Sequence, residues 1–284
     1  MNIRSSTRSP RLKRMLLALL SVFAGVILFA GTGASAGQPG STAITTTAQE
    51  NSGPKPTIVL IHGAFADASG WSGVVTRLQD RGYTVLAPAN PLRGVANDSA
   101  YIASVLASVT GPIVLVGHSY GGEVITNAAA GNPNVKALVY IAAFAPDAGE
   151  TSGGLVTKFP GSMLTPQNLV FRPFPGGVDG YINPTVFRDV FAADLPAETT
   201  TVMGASQRPG ALSTLSDLSG VPAWKTIPSW YMVANQDHAI PPALERFMAA
   251  RMHAHTVQIN SSHVAMMSHP GAVTDLILSA AEAD

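Results

Sequence analysis

The feature that most constrains the fold is a Gly-His-Ser-Tyr-Gly turn between an apolar strand and a small-residue helix. The strand covers residues 113–116, the turn covers 117–121, and the helix is predicted from about 122 to 130. In this context the G-x-S-x-G pattern places its serine on a strained reversal that pushes the hydroxyl clear of the sheet. The flanking glycines are needed because a Cβ there would strike a neighbouring strand or helix. Ser119 is therefore predicted to be a nucleophile, and the alternative is a turn that only connects two elements.

Apolar strands and helical segments alternate on both sides of this turn. The pattern predicts strands at 57–61, 83–87, 113–116, 136–142, 228–234 and 256–260, each followed by a helix or a loop leading to one. Nearly continuous apolar strands that alternate with helices indicate a mostly parallel sheet covered on both faces. The predicted class is therefore α/β, with about six strands and helices on both faces of the sheet.

A stretch rich in Gly, Pro, Thr and Ser interrupts the alternation between about residues 147 and 222. It is too long for a simple connection and too apolar for a disordered one. We expect a small lid insertion with short helices of its own.

The N-terminus has the order of segments found in secretory signal peptides. Five basic residues precede an apolar run at 15–30, and Ala34-Ser35-Ala36 follows as a cleavage site. This order predicts a signal peptide at 1–36, a flexible linker at 37–55 and a folded domain at 56–284. The predicted location is secreted, periplasmic or in the cell envelope, and the alternative is a retained membrane anchor.

Charge and composition exclude several classes of partner. The chain has 17 basic and 17 acidic residues, and removal of the five basic residues of the leader would leave 12 against 17. That acidic balance argues against binding to nucleic acid or, once the signal is removed, to an anionic membrane. There is no cysteine, no metal-ligand spacing and no Gly-rich phosphate loop, so we expect no disulfide, metal or cofactor.

Two further side chains follow strand ends and would complete a catalytic set with Ser119. Asp237 follows the strand at 228–234, and His263 follows the strand at 256–260. A serine hydroxyl needs an imidazole to take its proton, and the imidazole needs a carboxylate to fix its tautomer. Asp147 also follows a strand and is the alternative acid.

Seven histidines compete for the role of the base. Two of them, His62 and His118, sit inside turns, where packing and backbone hydrogen bonds are ordinary roles. His238 adjoins Asp237 without a strand to orient it towards the serine. The remaining three are expected at the surface, and they are His253, His255 and His269. His263 is therefore preferred.

The negative charge that forms on a carbonyl oxygen during acyl transfer needs donors already in place. The backbone N–H of Tyr120 is one expected donor. The turn at 62–64 should supply the other from Ala64, with Phe65 as the next candidate. Glu123, by contrast, is interpreted as a solvated carboxylate at a helix start.

Four segments together resemble the α/β-hydrolase superfamily. They are Val-Leu-Ile-His-Gly-Ala, Val-Gly-His-Ser-Tyr-Gly-Gly, Gln-Asp-His-Ala-Ile-Pro and Ser-His-Val-Ala-Met. The chain is most similar to the branch of methyl-ester esterases, hydroxynitrile lyases and pyrethroid-hydrolase-like esterases. The resemblance implies a serine hydrolase acting on a small-molecule ester, with Ser119, Asp237 and His263 as its triad.

Two departures from the lyases of that branch favour ester hydrolysis over cyanohydrin cleavage. The lyases have a threonine where this chain has Gly63 and a lysine where it has Val264. A perhydrolase or haloperoxidase, a lactonase and a non-catalytic ligand-binding protein are the other readings of this fold.

Overall fold

The computed structural model describes residues 53–283. The expected signal peptide at 1–36 and most of the linker at 37–55 lie outside the described residues. Among the residues that are described, no helix combines the length and the apolar character that crossing a bilayer requires.

A parallel sheet of six strands forms the centre of the domain. The strands are β1 (Thr57–Ile61), β2 (Val85–Leu86), β3 (Ile113–Ser119), β4 (Val135–Ala143), β8 (Ser229–Ala234) and β9 (His255–Ile259). Their spatial order is β2-β1-β3-β4-β8-β9, and every neighbouring pair runs parallel. The predicted α/β class and the predicted strand number are confirmed.

The helices outside the insertion cover both faces of this sheet. They are α1 (Ser72–Asp80), α2 (Val95–Ala107), α3 (Tyr120–Ala128), α8 (Pro242–Arg251), α9 (Ala265–Ser268) and α10 (Pro270–Ala281). Alternate residues of β1 point to opposite faces because side chains alternate along a strand. Val59 and Ile61 pack in one core with α2, α3 and α8, whereas Ile58 and Leu60 pack in the other with α1 and α10.

The strands differ in how deeply they are buried. All seven residues of β3 are buried at the middle of the sheet. The last strand, β9, lies at the edge with one neighbour, and four of its five residues are exposed. The turn that carries Ser119 thus follows one of the most enclosed strands of the sheet.

Between β4 and β8 the chain forms a second, smaller sheet that the sequence analysis did not anticipate. It contains β5 (Leu169–Phe174), β6 (Gly177–Ile182) and β7 (Gly210–Ala211), paired antiparallel in that order. Four short helices accompany it, and they are α4 (Ser152–Val156), α5 (Phe187–Phe191), α6 (Ala197–Ser206) and α7 (Ser213–Ser216). We refer to residues 147–222 as the insertion.

The second sheet was missed because its strands lack the usual pattern. Pro173 lies within β5, and β6 begins with Gly177 and contains Gly180. Proline is tolerated in β5 because this strand forms an edge, where one side needs no backbone donor.

Candidate active site

Ser119 lies where β3 turns directly into α3. Its backbone has φ 55° and ψ −128°, a conformation with positive φ that is unusual for a residue with a side chain. A Cβ on Gly117 would lie 2.6 Å from the carbonyl oxygen of Gly121, and a Cβ on Gly121 would lie 2.5 Å from that of Ile61. Glycine is therefore required on both sides of the serine, because the backbone of the turn passes so close to its neighbours.

Asp237 and His263 meet beyond the ends of β8 and β9. Nδ1 of His263 lies 2.5 Å from Oδ2 of Asp237, and both side chains are almost completely buried. The other carboxylate oxygen, Oδ1, accepts hydrogen bonds from the backbone N–H groups of Ala239 at 2.6 Å and Ile240 at 2.9 Å. The loop after β8 thus holds the carboxylate in one orientation, and the carboxylate in turn orients the imidazole.

The alternative acid, Asp147, lies in a different environment. Its Oδ1 pairs with Nζ of Lys225 at 2.5 Å, and both side chains are well exposed. The hydrogen bond from Lys225 is the main cause that lowers the pKa of Asp147. Since His263 contacts Asp237, the structure brings the preferred acid and base together and leaves Asp147 at the surface.

Two rings pack against the imidazole of His263. The ring centroids of His118 and Phe191 lie 4.6 and 5.0 Å from that of His263. Within residues 53–283, Nε2 of His263 is buried and has no hydrogen-bond partner. The imidazole therefore has one nitrogen fixed by a carboxylate and the other without a hydrogen bond to the described residues.

The histidines in the two turns make structural hydrogen bonds, as the sequence analysis expected. Nε2 of His62 accepts from the backbone N–H of Asn90 at 2.9 Å, and burial lowers the pKa of His62. Nε2 of His118 lies 2.9 Å from the carbonyl oxygen of His263, and burial holds the pKa of His118 well below its usual value. Because that carbonyl can only accept, His118 donates to it and holds the backbone of His263.

The turn at 62–64 lies directly against the serine. A Cβ built on Gly63 would be 2.5 Å from Cβ of Ser119. The backbone N–H of Phe65 donates to the carbonyl oxygen of Arg208 at 2.7 Å, so this candidate oxyanion donor is already engaged. In the described part of the chain, the N–H groups of Ala64 and Tyr120 have no backbone acceptor.

Tyr120 is anchored by a residue that the sequence analysis did not single out. Its hydroxyl donates to Oδ2 of Asp98 at 2.9 Å, and Asp98 also accepts from the backbone N–H of Arg93. Burial raises the pKa of Asp98. Asp98 resembles an ordinary helix-start acid in the sequence, and only the fold shows that it faces the serine turn.

The interpretation of Glu123 as a solvated carboxylate is wrong. Its side chain is fully buried and accepts a hydrogen bond from the hydroxyl of Ser152 in α4. Burial raises its pKa to about 8. The position of Glu123 at the start of α3 suggests exposure to solvent. Its burial could not be predicted from that position, because it results from α4 of the insertion packing over Glu123.

The insertion also contacts the loops that carry Asp237 and His263. Oδ2 of Asp194 accepts from the backbone N–H of Ser262 at 3.0 Å and from the hydroxyl of Ser261 at 3.1 Å. On the other loop, the backbone N–H of Met163 donates to the carbonyl oxygen of His238 at 2.7 Å. Both loops are therefore held by hydrogen bonds from the insertion.

No cluster of three or more His, Cys, Asp or Glu side chains that could hold a metal ion occurs among residues 53–283.

A parallel α/β sheet, a serine at a strand-to-helix turn and a buried His–Asp pair beyond later strands define the class of α/β hydrolases. The family model described as the alpha/beta hydrolase family matches residues 58–276, and the chain belongs to that family.

Curated relatives and solved structures place the chain within the predicted branch. It is 29% identical over 253 residues to a pyrethroid hydrolase of Sphingobium wenxiniae, which covers 80% of this chain and 88% of that protein. It is 25% identical over 258 residues to Methylesterase 8 of Arabidopsis thaliana, with coverage of 80% and 90%. The crystal structure of a pyrethroid hydrolase from Sphingobium faniae JZ-2 superposes with a TM-score of 0.67 at 25% identity, covering 80% of this chain and 98% of that one. The predicted resemblance is confirmed.

Proposed function

We propose that the protein is a secreted serine esterase in which Ser119, His263 and Asp237 form the catalytic triad. The observation that carries this proposal is the buried contact between His263 and Asp237, with the second nitrogen of His263 left without a partner among the described residues. Ser119 follows His118, whose ring packs against that of His263.

The general class of the enzyme follows from its family and its relatives. The protein is a carboxylic ester hydrolase, because it belongs to the alpha/beta hydrolase family and its relatives include esterases and hydrolases of small molecules.

The proposed reaction proceeds in two steps. Oγ of Ser119 attacks the acyl carbon while Nε2 of His263 takes the proton of the serine hydroxyl. The imidazolium then protonates the leaving alcohol. Water, deprotonated by the same imidazole, attacks the acyl-enzyme and releases the acid and the free serine. Asp237 keeps the proton of the imidazole on Nδ1, so that Nε2 can accept.

The oxyanion formed in each step would be bound by the N–H groups of Ala64 and Tyr120. Support comes from the positions of these residues, one in the turn against Ser119 and the other directly after it. A single donor of this kind contributes roughly 10²–10³ in kcat in other serine hydrolases.

Hydrolysis is favoured over cyanohydrin cleavage by two positions beside the site. A threonine in place of Gly63 would force its Cβ to within 2.5 Å of Cβ of Ser119 in this backbone. Val264, directly after the proposed base, is fully buried and offers no ammonium to a leaving cyanide.

The aromatic rings around the site favour hydrophobic esters of small to medium size as substrates. Phe191 packs edge-on against His263, and Phe65 packs edge-on against Phe191 with centroids 6.1 Å apart. Apolar walls of this kind favour apolar groups through burial of their surface.

Secretion is supported by the order of the basic, apolar and small-residue segments at 1–36. Expression with the full leader should release a chain whose N-terminus is Gly37, as measured by N-terminal sequencing. A chain that keeps its leader and stays in the membrane fraction would contradict this part of the proposal.

Esterase function can be tested with p-nitrophenyl acetate and butyrate. The wild-type protein should release p-nitrophenol from both, and Ser119→Ala should abolish the release. Ser206→Ala, which removes an exposed serine hydroxyl of α6, is the matched control and should match the wild type. Equal rates for wild type and Ser119→Ala would overturn the proposal.

A further inference from the structure

A second acidic side chain lies against the proposed triad. Glu245 is in α8, and its side chain is completely buried. Its Oε2 accepts from the backbone N–H of Ala234, the last residue of β8, at 3.0 Å. Its Oε1 is buried and receives no N–H or O–H from any residue within 53–283.

Glu245 and Asp237 lie next to each other at the end of β8, since Glu245 accepts from the backbone N–H of Ala234 and the N–H of Asp237 donates to the carbonyl oxygen of the same residue at 3.2 Å. Two carboxyl groups can share a hydrogen bond only if one of them carries a proton, because ionised carboxylates are acceptors only. Asp237 already accepts from three N–H groups, those of Ala239, Ile240 and His263. Glu245 accepts from one, so the negative charge is better stabilised on Asp237 and the proton belongs on Glu245.

We propose that Glu245 is a protonated positioning residue that donates a hydrogen bond to Asp237. Through this bond it adjusts the strength of the interaction between Asp237 and His263. The inference rests on the proposed function, since it gives Glu245 a role through the Asp237–His263 pair. Glu245 does not itself touch the reacting atoms.

The groups around Glu245 favour the protonated, neutral form of its side chain. Burial raises the pKa of Glu245 well above its ordinary value, and the charge of Asp237 raises it further. Tyr231 in β8 also faces this pair, but its hydroxyl donates to the carbonyl oxygen of Ala143. Arg246, a cation that acts on Glu245, directs its guanidinium to Asn235 and Gln258.

The donor from Glu245 draws negative charge away from the oxygens that face the imidazole. Without it, Asp237 would hold the imidazolium more strongly, so the base would lose its proton only at higher pH. The glutamine variant keeps both contacts, because its oxygen can accept from Ala234 and its amide can donate to Asp237. A leucine at this position keeps the approximate volume of the side chain but removes the contacts with both Ala234 and Asp237.

The experiment compares wild type, Glu245→Gln and Glu245→Leu with a p-nitrophenyl ester across a range of pH. Fluorophosphonate labelling counts active sites in each sample, so that misfolded protein does not affect the rates. Glu198→Gln, an exposed acid on α6, is the control for loss of a carboxylate. We expect Glu245→Gln to keep the wild-type profile and Glu245→Leu to lose about tenfold in kcat/KM, with its acid limb moved to higher pH.

A purely structural role would lower the thermal midpoint of Glu245→Leu and leave its pH profile in place, and that result would overturn the inference. So would a glutamine variant that behaves like the leucine variant. If the wild-type protein itself is neither labelled nor active, the proposed function fails first; labelling of the wild type separates the two failures.

A second measurement does not depend on the folding of the leucine variant. Only the wild type can lose the proton of Glu245, and its folded state holds that proton above the pH at which the unfolded chain releases it. The wild type should therefore lose thermal stability relative to Glu245→Gln as the pH rises above the ordinary pKa of a glutamate. A difference in melting temperature that stays constant over this range would contradict a protonated Glu245.

Discussion

At the scale of single residues, two aspartates that both follow strands have opposite environments. Asp237 is buried and accepts from two backbone N–H groups and from His263. Asp147 is exposed and pairs with Lys225. A short loop that closes on its own carboxylate, rather than position after a strand alone, distinguishes the acid that can orient an imidazole.

Replacing each aspartate by asparagine tests this distinction. Asp237→Asn should lower kcat by about 10⁴, because an amide stabilises the wrong tautomer of the histidine. Asp147→Asn should keep kcat within about twofold, since it loses only an exposed ion pair. Steady-state kinetics on a p-nitrophenyl ester measure both, and a large loss in Asp147→Asn with none in Asp237→Asn would reverse the assignment.

Glu123 gives a prediction on stability rather than on catalysis. Its pKa in the folded protein, about 8, lies above the ordinary 4.5 because burial penalises the charged form. A raised pKa means that its stabilising contribution is complete below pH 4.5 and is lost as the pH rises towards 8. Relative to Glu123→Gln, the free energy of unfolding of the wild type should fall by about 1.4 kcal/mol per pH unit in this window.

Chemical unfolding of both proteins at several pH values measures this difference. The other buried carboxyl groups, Glu245 and Asp98 among them, are present in both proteins and cancel in the comparison. A difference that does not change with pH would show that Glu123 is ionised in the folded protein.

At the scale of elements, part of the insertion is joined to the loop before His263. The carboxylate of Asp194 accepts from the backbone N–H and hydroxyl of Ser262 and from the hydroxyl of Ser261. Partial burial would raise the pKa of Asp194, but these hydrogen bonds lower it overall, so the carboxylate is ionised near neutral pH. The segment after α5 therefore fixes the backbone directly before the proposed base.

Removing this carboxylate should weaken catalysis without removing any reacting group. Asp194→Ala should lower kcat/KM by about tenfold to a hundredfold, because small displacements of a catalytic group are costly. Asp189→Ala is the matched control, since Asp189 lies in α5 with an exposed side chain. Kinetics at pH 7 compare the two, and equal activity of both variants would show that the contact does not position His263.

The central strand and the turn after it could be predicted from sequence, because their structure depends on residues that are neighbours along the chain. The buried strand β3 shows as a run of apolar residues, and Gly117 and Gly121 show as the small residues that a tight turn demands. The sheet of the insertion could not be predicted, because Pro173 and the glycines of β6 erase the alternation that identifies a strand. The burial of Glu123 depends on α4 of the insertion and that of Glu245 on its packing against the end of β8, and the sequence pattern carries no sign of either contact.

At the scale of the whole molecule, the chain belongs to the alpha/beta hydrolase family, and its site lies where strands of a parallel sheet end. β3 carries the proposed nucleophile, and the loops after β8 and β9 carry the proposed acid and base. The insertion contacts both loops, through Met163 on one and Asp194 on the other. The core of the sheet thus fixes Ser119, and the insertion helps to fix the loops that carry Asp237 and His263.

The most direct test of the central claim is covalent labelling of Ser119 by a fluorophosphonate probe, read by intact mass and by peptide mapping. We expect one label per chain, located on Ser119, with no labelling of Ser119→Ala and strongly slowed labelling of Asp237→Asn. A label on another residue, or equal labelling of wild type and Ser119→Ala, would contradict it.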